Sequence, residues 1–362
     1  MKRLLPFLFL LTVFTSDIDS DELLPQHFEL NQLLVVNALG IDSDENGNFK
    51  LTLAYTQANE TNDISLLYAT GKSFSAAVAN AASYAGRSVF LGHSRLIIIG
   101  KAAGERGLTE IVDYVTRSYE TSLNVQVITS AGEASTLLSA SSLGSSDILS
   151  DLDTLLANLE INSLASPVTL AEVIAAVDDE YRYPITPLVE TVENENGSFN
   201  VMTGSAIYRG DRLYTFLTGD DAVMLTALRN RANSHVITVN TDFAGLISLR
   251  VTSFKTKATF SEQDGKLSLS LSGDIRATMV ESSSGHLTGG DIERLIAVTE
   301  ADIKKKAEAF FLRYGNEDFC QFADTLRRFH PFLFEKWQGV ENTAMDIRVN
   351  CILENSFIHG GG

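Results

Sequence analysis

The first candidate for chemistry is Asp42-Ser43-Asp44-Glu45-Asn46-Gly47, which fits the first half of a calcium loop, D-x-D-x-N-G. Such a loop completes its oxygen shell with a bidentate Glu at position twelve, and here that place is Leu53. The segment is therefore read as a hairpin turn, a role its Asp, Asn and Gly residues fill equally well. Gly92-His93-Ser94-Arg95-Leu96 resembles a nucleophile elbow, G-x-S-x-G, in which a strained turn exposes a serine. Leu96 replaces the closing glycine, and Ser94 precedes a strand where an elbow serine follows one. A serine hydrolase is set aside, and His93 and Ser94 are expected to cap or hydrogen-bond the start of that strand.

The six histidines, His27, His93, His235, His286, His330 and His359, form no H-x-x-x-H pair and have no carboxylate at ligand spacing, which disfavours a catalytic metal. Asp178-Asp179-Glu180 is a run of like charge, expected on a solvated face, and receives no acid or base role. Cys320 and Cys351 are the only cysteines, too few for a disulfide scaffold or a cysteine-based zinc module. Cys351 lies on the apolar register of an alternating strand, so a buried thiol is the default; a Cys320–Cys351 disulfide is chemically permitted outside the cytoplasm. No catalytic, cofactor-binding or metal-binding residue is assigned.

The secondary structure that holds these residues follows from periodicity. Leu30–Ile41 and Phe49–Gln57 read as paired strands around the Asp42–Asn48 turn. Ser73–Arg87 is an Ala-rich helix ended by Gly86, Leu96–Ile99 is a central strand, Thr109–Tyr119 a helix and Leu123–Thr129 a strand. That order implies a mixed sheet covered by helices. From Gly132 to about Val177 the pattern turns helical and acidic. Asp147–Leu159 places Ile148, Leu149, Leu152, Leu155, Leu156 and Leu159 on one face, and Ser166-Pro167 is expected to open a helix running through Thr169–Val177. Tyr183-Pro184 and Thr186-Pro187 end helical structure. Asn194-Glu195-Asn196-Gly197-Ser198 is linker-like, and the main boundary is placed there.

Beyond it, Val201–Arg209 and Arg212–Leu217 form a hairpin on Gly210-Asp211, and Asp220–Arg229 is a helix. Leu246–Ser261 and Lys266–Val280 pair through Gln263-Asp264-Gly265. Asp291–Tyr314 is the longest helix, Phe319–Arg328 and Pro331–Trp337 are helical, and Asn342–Leu353 is the closing strand. The fold class is α+β, or mixed α/β, with mixed sheets covered by helices in several domains. The expected divisions are 1–16, a signal peptide or short anchor; 28–130, an α/β domain; 131–198, an acidic, mainly helical segment; and 199–358, an α+β domain. The signal reading rests on Met1-Lys2-Arg3 followed by the apolar run Leu4–Phe14, which is too short to span a bilayer core.

Composition narrows the function. The 362 residues carry 28 Lys plus Arg against 46 Asp plus Glu, a net charge of -18, which disfavours nucleic acid as a partner. The charge is uneven: residues 1–190 hold 10 bases and 24 acids, residues 191–362 hold 18 and 22, and Glu120–Glu190 holds 11 acids with Arg182 as its only base. Beside an anionic bilayer the acidic segment is expected to face away from lipid or dock on a basic partner. The nearly neutral second half, with Lys304-Lys305-Lys306, is the better candidate to approach headgroups.

Several segments in order resemble the Ger(x)C family, the C subunits of spore germinant receptors. They are Glu29-Leu30-Asn31-Gln32 running into Ala38-Leu39-Gly40-Ile41-Asp42; Gly71-Lys72-Ser73-Phe74; and Leu91–Gly100. Then come Gly204–Leu213, Asp318-Phe319, His330-Pro331, Trp337 and the last strand. The resemblance implies three subdomains in an open cup and a non-enzymatic, membrane-tethered subunit of a nutrient-sensing complex. Its place would be the outer face of the spore inner membrane, and its partners a multi-helix A subunit and a transporter-like B subunit. Family members begin the mature chain with a lipidated cysteine followed by Trp-Asp. Here Leu24 holds the cysteine's place and Pro25-Gln26 that of Trp-Asp, so thiol-based lipidation does not carry over. Two other functions compete: an extracytoplasmic small-molecule-binding protein and an extracytoplasmic hydrolase. One Trp and the lack of paired βαβ lobes around a hinge give the first little support, and the missing elbow glycine disfavours the second.

Overall fold

A computed structural model describes residues 32–56, 64–118, 121–140, 154–158, 162–195, 197–232, 234–263, 265–283 and 287–354. The expected segment 1–16, Leu24 and the helix positions Ile148, Leu149, Leu152 and Leu159 lie outside the described residues.

Two sheets organise the chain. The first has nine strands: β1 (Leu33–Ser43), β2 (Phe49–Thr56), β3 (Ile64–Gly71), β4 (Ser88–Phe90), β5 (Leu96–Ile99), β6 (Gln126–Ser130), β7 (Ile185–Asn194), β8 (Gly197–Arg209) and β9 (Arg212–Thr218). Its path is β3-β2-β1-β5-β6-β7-β8-β9, with β4 beside β1. β5 lies parallel to β1 and β6, and β6 parallel to β7, so its residues are buried on both faces, as a continuous apolar run requires. Ile97 and Ile99 point into one core with Phe74 of α1 (Phe74–Ala85), Ile111 of α3 (Thr109–Arg117) and Val173 of α5 (Leu170–Val177). Leu96 and Ile98 point into the opposite core with Leu137 and Leu138 of α4 (Ala134–Ser139). A six-residue helix, α2 (Lys101–Arg106), follows β5. Gly86 ends α1 in the left-handed conformation, at φ 61°, where a side chain would be strained.

The second sheet, β10-β11-β12-β13, comprises β10 (His235–Thr241), β11 (Gly245–Gln263), β12 (Lys266–Ser282) and β13 (Ala344–Leu353). β13 runs parallel to β12, so the chain must cross over between them. The longest element of that crossover is the 26-residue α7 (Gly289–Tyr314), whose N-terminus carries a Thr288–Asp291 capping box. Leu295, Thr299, Ile303, Ala307 and Phe310 form its buried stripe; Leu295, Ile303, Ala307 and Phe310 share a core with Leu269, Ile275, Ile347 and Cys351 on the sheet. Three further α-helices, α6 (Gly219–Leu228), α8 (Phe322–Phe329) and α9 (Pro331–Phe334), lie in the described second half.

The two halves share a strand pair. Ala206 and Tyr208 of β8 sit in the core of the first sheet, while Ile207 and Leu217 of β8 and β9 sit in the core of the second. Alternation along a strand thus fuses the two units.

Within the linker-like stretch Asn194 of β7 pairs with Gly197 of β8, the glycine at φ 124°, so the two strands meet there in one antiparallel hairpin. Within residues 131–198, α4 packs on the first sheet and β7 is one of its strands. The cap of α5 is Thr169 rather than Ser166, because Glu172 completes a capping box with it. Strands β3 and β10 lie outside the elements that periodicity predicts, and helices α8 and α9 are shorter than their apolar patterns, since Phe319 is buried before α8 begins.

Candidate functional site

The calcium-like spacing is spent on structure. Asp42 is buried, and its two carboxylate oxygens accept from the Ala134 amide at 2.7 Å and the Ser135 amide at 3.0 Å, holding the first turn of α4. Burial raises its carboxyl above the usual range, opposed by those two amides. A side chain at Gly100 would stand 1.9 Å from Asp42 Oδ1, so the carboxylate occupies space that only glycine leaves open. Asp44 turns the other way. Its Oδ1 accepts from the Asn46 and Asn48 amides at 2.9 and 2.7 Å, and its Oδ2 from Asn48 Nδ2 at 2.8 Å. The hairpin reading accounts for both residues, and Leu53 is buried in β2.

Ser94 is likewise engaged: its Oγ donates to the Val36 carbonyl at 2.9 Å, tying the start of β5 to β1. His93 packs edge-on against Phe90. His235 stacks on Phe254, and burial together with the Lys306 charge pulls its imidazole down to about 4. His330 caps the end of α8. Among the described residues no cluster of three His, Cys, Asp or Glu side chains is arranged to hold a metal. Cys320 and Cys351 are both free thiols.

The acidic run divides: Asp178 and Glu180 are exposed, as expected, and Asp179 is half-buried. Asp179 is not on a solvated face: it lies 2.6 Å from Arg327 Nη2 and 3.7 Å from Arg182 Nε. Asp324 completes the cluster, 3.0 Å from Arg182, 2.7 Å from Arg327 and 2.9 Å from Arg328. Burial pushes the Asp179 carboxyl up, but Arg327, the Tyr181 amide and Arg182 outweigh it and hold it below its usual range. Periodicity could not expose this, because Arg327 lies 148 residues from Asp179 and Asp324 lies 142 residues from Arg182.

A second cluster joins the halves beside the first. Glu317 accepts from Tyr183 Oη at 2.8 Å and Tyr214 Oη at 3.1 Å, and pairs with Arg209. The Arg209 guanidinium lies 3.9 Å above the Tyr214 ring, and buried Phe319 stands edge-on to Tyr183.

Next to these clusters lies a cavity of about 370 Å³, walled by α5, the start of β7, the residues just after α6 and Gln321 before α8. Arg231 pairs with Glu172 at 3.1 Å, and the other Glu172 oxygen accepts from the Thr169 amide at 3.0 Å. Arg229 Nη2 donates to Gln321 Oε1 at 3.2 Å, and Gln321 Nε2 donates to the Tyr183 carbonyl at 2.9 Å. Burial and the neighbouring Arg231 charge pull the Arg229 guanidinium down to about 10. Half-buried Asp318 acts on it only through space, because the Phe322 and Ala323 amides take its two oxygens at 2.9 and 2.7 Å. Nothing in the spacing of these residues along the chain points to one another.

The lysine run Lys304-Lys305-Lys306 is not an unpaired basic patch. Lys306 lies 3.2 Å from Asp302 and 3.3 Å from Asp220, and Lys304 reaches Glu308 at 3.9 Å. Among the described residues no helix is long and apolar enough to cross a membrane.

Residues 26–191 match the family model described as the spore germination protein N-terminal domain. Residues 203–356 match the one described as spore germination B3/GerAC like, C-terminal. A crystal structure of the GerBC protein superposes with a TM-score of 0.60 at 16% identity, covering 88% of this chain and 97% of that one, a likeness of fold. YfkR of Bacillus subtilis (strain 168), a protein named for spore germination, is 24% identical over 211 residues, or 56% of this chain. The match spans 53% of that relative, about half its length. With matched segments reaching from residue 26 to residue 356, and the same α+β fold, the chain belongs to the Ger(x)C family of spore germination proteins.

Proposed function

We propose that this chain is a non-enzymatic subunit of a membrane-associated spore germinant receptor complex, acting in the nutrient response through protein–protein interaction. In this reading its partners are the A-type and B-type integral membrane subunits, and it stands on the outer face of the spore inner membrane. The reading rests above all on the family match across both halves of the chain. Two features of the molecule support it. The residues that most resemble catalytic groups, Asp42, Asp44 and Ser94, have their side-chain oxygens engaged in holding turns and strands. Large apolar side chains also stand in solvent near the end of α7 and on α8 and α9, with Leu312 90%, Phe329 72% and Phe332 83% exposed, as a docking face requires.

The test is affinity purification of the tagged chain from gently solubilised spore membranes. Two multi-spanning subunits are expected to come with it, and Phe329→Ser combined with Phe332→Ser is expected to weaken their recovery several-fold. Recovery of the chain alone, from membranes in which those subunits remain assembled with each other, overturns the reading. The alternative, an extracytoplasmic small-molecule-binding protein, draws its support from the cavity beside Arg229.

A further inference from the structure

We propose that the cavity between α5, the start of β7 and Gln321 is a binding site for a small organic oxyanion, a carboxylate or phosphate group on a short apolar body, with Arg229 as its principal contact. Three arginines, Arg182, Arg229 and Arg231, line the cavity against one carboxylate, Glu172. Two of the three are already neutralised: Arg182 by Asp324 and Asp179, and Arg231 by Glu172. Arg229 is the exception. Among the described residues it has no carboxylate at ion-pair distance, and its only side-chain partner is the neutral amide oxygen of Gln321.

A half-buried guanidinium presents five donors, and leaving them without an anion is costly unless an anion arrives. Its planar fork matches a carboxylate or a phosphate through two parallel hydrogen bonds. A second observation points the same way. Ser166 Oγ is buried without a hydrogen-bond partner, and it lines an adjoining space of about 10 Å³ that shares Arg229 and Arg231. An oxyanion oxygen or a bridging water fits that orphan hydroxyl. The remaining wall is apolar, with Val173, Ala176 and Ile185, so the body of the ligand is aliphatic rather than polar. The volume lies at the low end of the range for small-molecule sites, which excludes a large cofactor. The site concerns the purified chain alone and does not depend on its belonging to a receptor complex.

The experiment measures thermal unfolding of the purified full chain with butyrate, with inorganic phosphate, and with sodium chloride at matched ionic strength. At ten times its Kd a true ligand raises the midpoint by roughly 2 °C. Butyrate shifting more than phosphate identifies a carboxylate site with an apolar wall, and the reverse identifies a phosphate site. Arg229→Gln is expected to abolish the shift. Gln321→Glu supplies an internal carboxylate to Arg229, and is expected to abolish it as well, whatever it does to the unliganded midpoint. The proposal is overturned if neither anion exceeds the chloride control, or if Gln321→Glu retains the full shift; the second variant decides the matter even if Arg229→Gln fails to fold.

Discussion

Asp318 and Asp42 show how much one carboxylate withdrawn from solvent can be asked to do. Both accept two backbone amides at the start of a helix, α8 and α4 respectively, where unsatisfied donors and the helix dipole favour a negative group. For Asp318 burial wins: it pushes the carboxyl from 3.8 up to about 6, against the amides and Arg229. A carboxyl whose folded pKa is raised binds its proton more tightly in the folded state. Its contribution to stability is therefore full below about pH 4 and is lost as the pH rises through about 6. Asp318→Asn cannot titrate. Relative to wild type it is expected to gain up to about 3 kcal/mol between pH 4 and 7, at about 1.4 kcal/mol for each tenfold difference in proton affinity. Urea unfolding of both proteins across that window measures the difference, and a constant offset would count against a titrating Asp318 withdrawn from solvent. That Asp42 holds the start of α4 could not be read from its neighbours in the chain, because the Ala134 and Ser135 amides lie 92 and 93 residues away.

Among the elements, periodicity locates most of the secondary structure and misplaces the boundaries that side chains decide. The β1–β2 and β8–β9 hairpins, the buried β5, the paired β11 and β12 and the long α7 are all legible from alternation, turn residues and helical spacing. The start of α5 is not. Ser166-Pro167 carries good N-terminal chemistry, yet the helix begins after Thr169, where the hydroxyl accepts from the Glu172 amide and the Glu172 carboxylate accepts from the Thr169 amide. Two reciprocal hydrogen bonds outcompete the preset φ of one proline. Thr169→Ala is expected to cost about 1 kcal/mol in equilibrium unfolding, whereas Ser166→Ala, which removes an unpartnered hydroxyl, is expected to be neutral or better. Equal losses from both substitutions would mean that Ser166 shares the cap. β3 escapes a reading by pattern because it is only partly buried, and β10 because its outward face carries Val236 and its inward face Thr241, which blurs an alternation that is clean in burial; each is fixed by its partner strand.

For the whole molecule, the uneven charge has an internal explanation. Acids of the first half pair with bases of the second: Asp179 with Arg327, and Glu172 with Arg231, while Glu133 pairs with Lys50 nearby in space. Part of the acidity expected to face outward therefore joins the halves. Glu317 is the hub of the second such joint, with Arg209 and Tyr214 of the first sheet and Tyr183, just before β7, converging on it. Its side chain is only 10% exposed, so removing it leaves Arg209 and two phenols without their common acceptor. Glu317→Ala is expected to cost about 2–3 kcal/mol. Hydrogen exchange should show reduced protection in 315–329 while β1, β5 and β6 stay protected; uniform loss across both sheets would show that the halves unfold only together.

The class of fold, the order of most elements, the hairpin nature of the calcium-like segment and the family are all written in the order of the residues. These depend on local periodicity, on turn chemistry and on motifs that run along the chain. That the linker-like Asn194–Ser198 is a turn within one sheet, and that Asp179 is paired, emerges only when the chain is folded. The same holds for the meeting of Arg229, Gln321 and Ser166 around one small cavity and its adjoining space. The pairing of Asp179 and the meeting at the cavity join residues far apart in the chain. The turn is known as such only because its two flanking strands pair. Contacts of this kind are selected by burial, pairing and charge in three dimensions, which leave no period in the sequence to read.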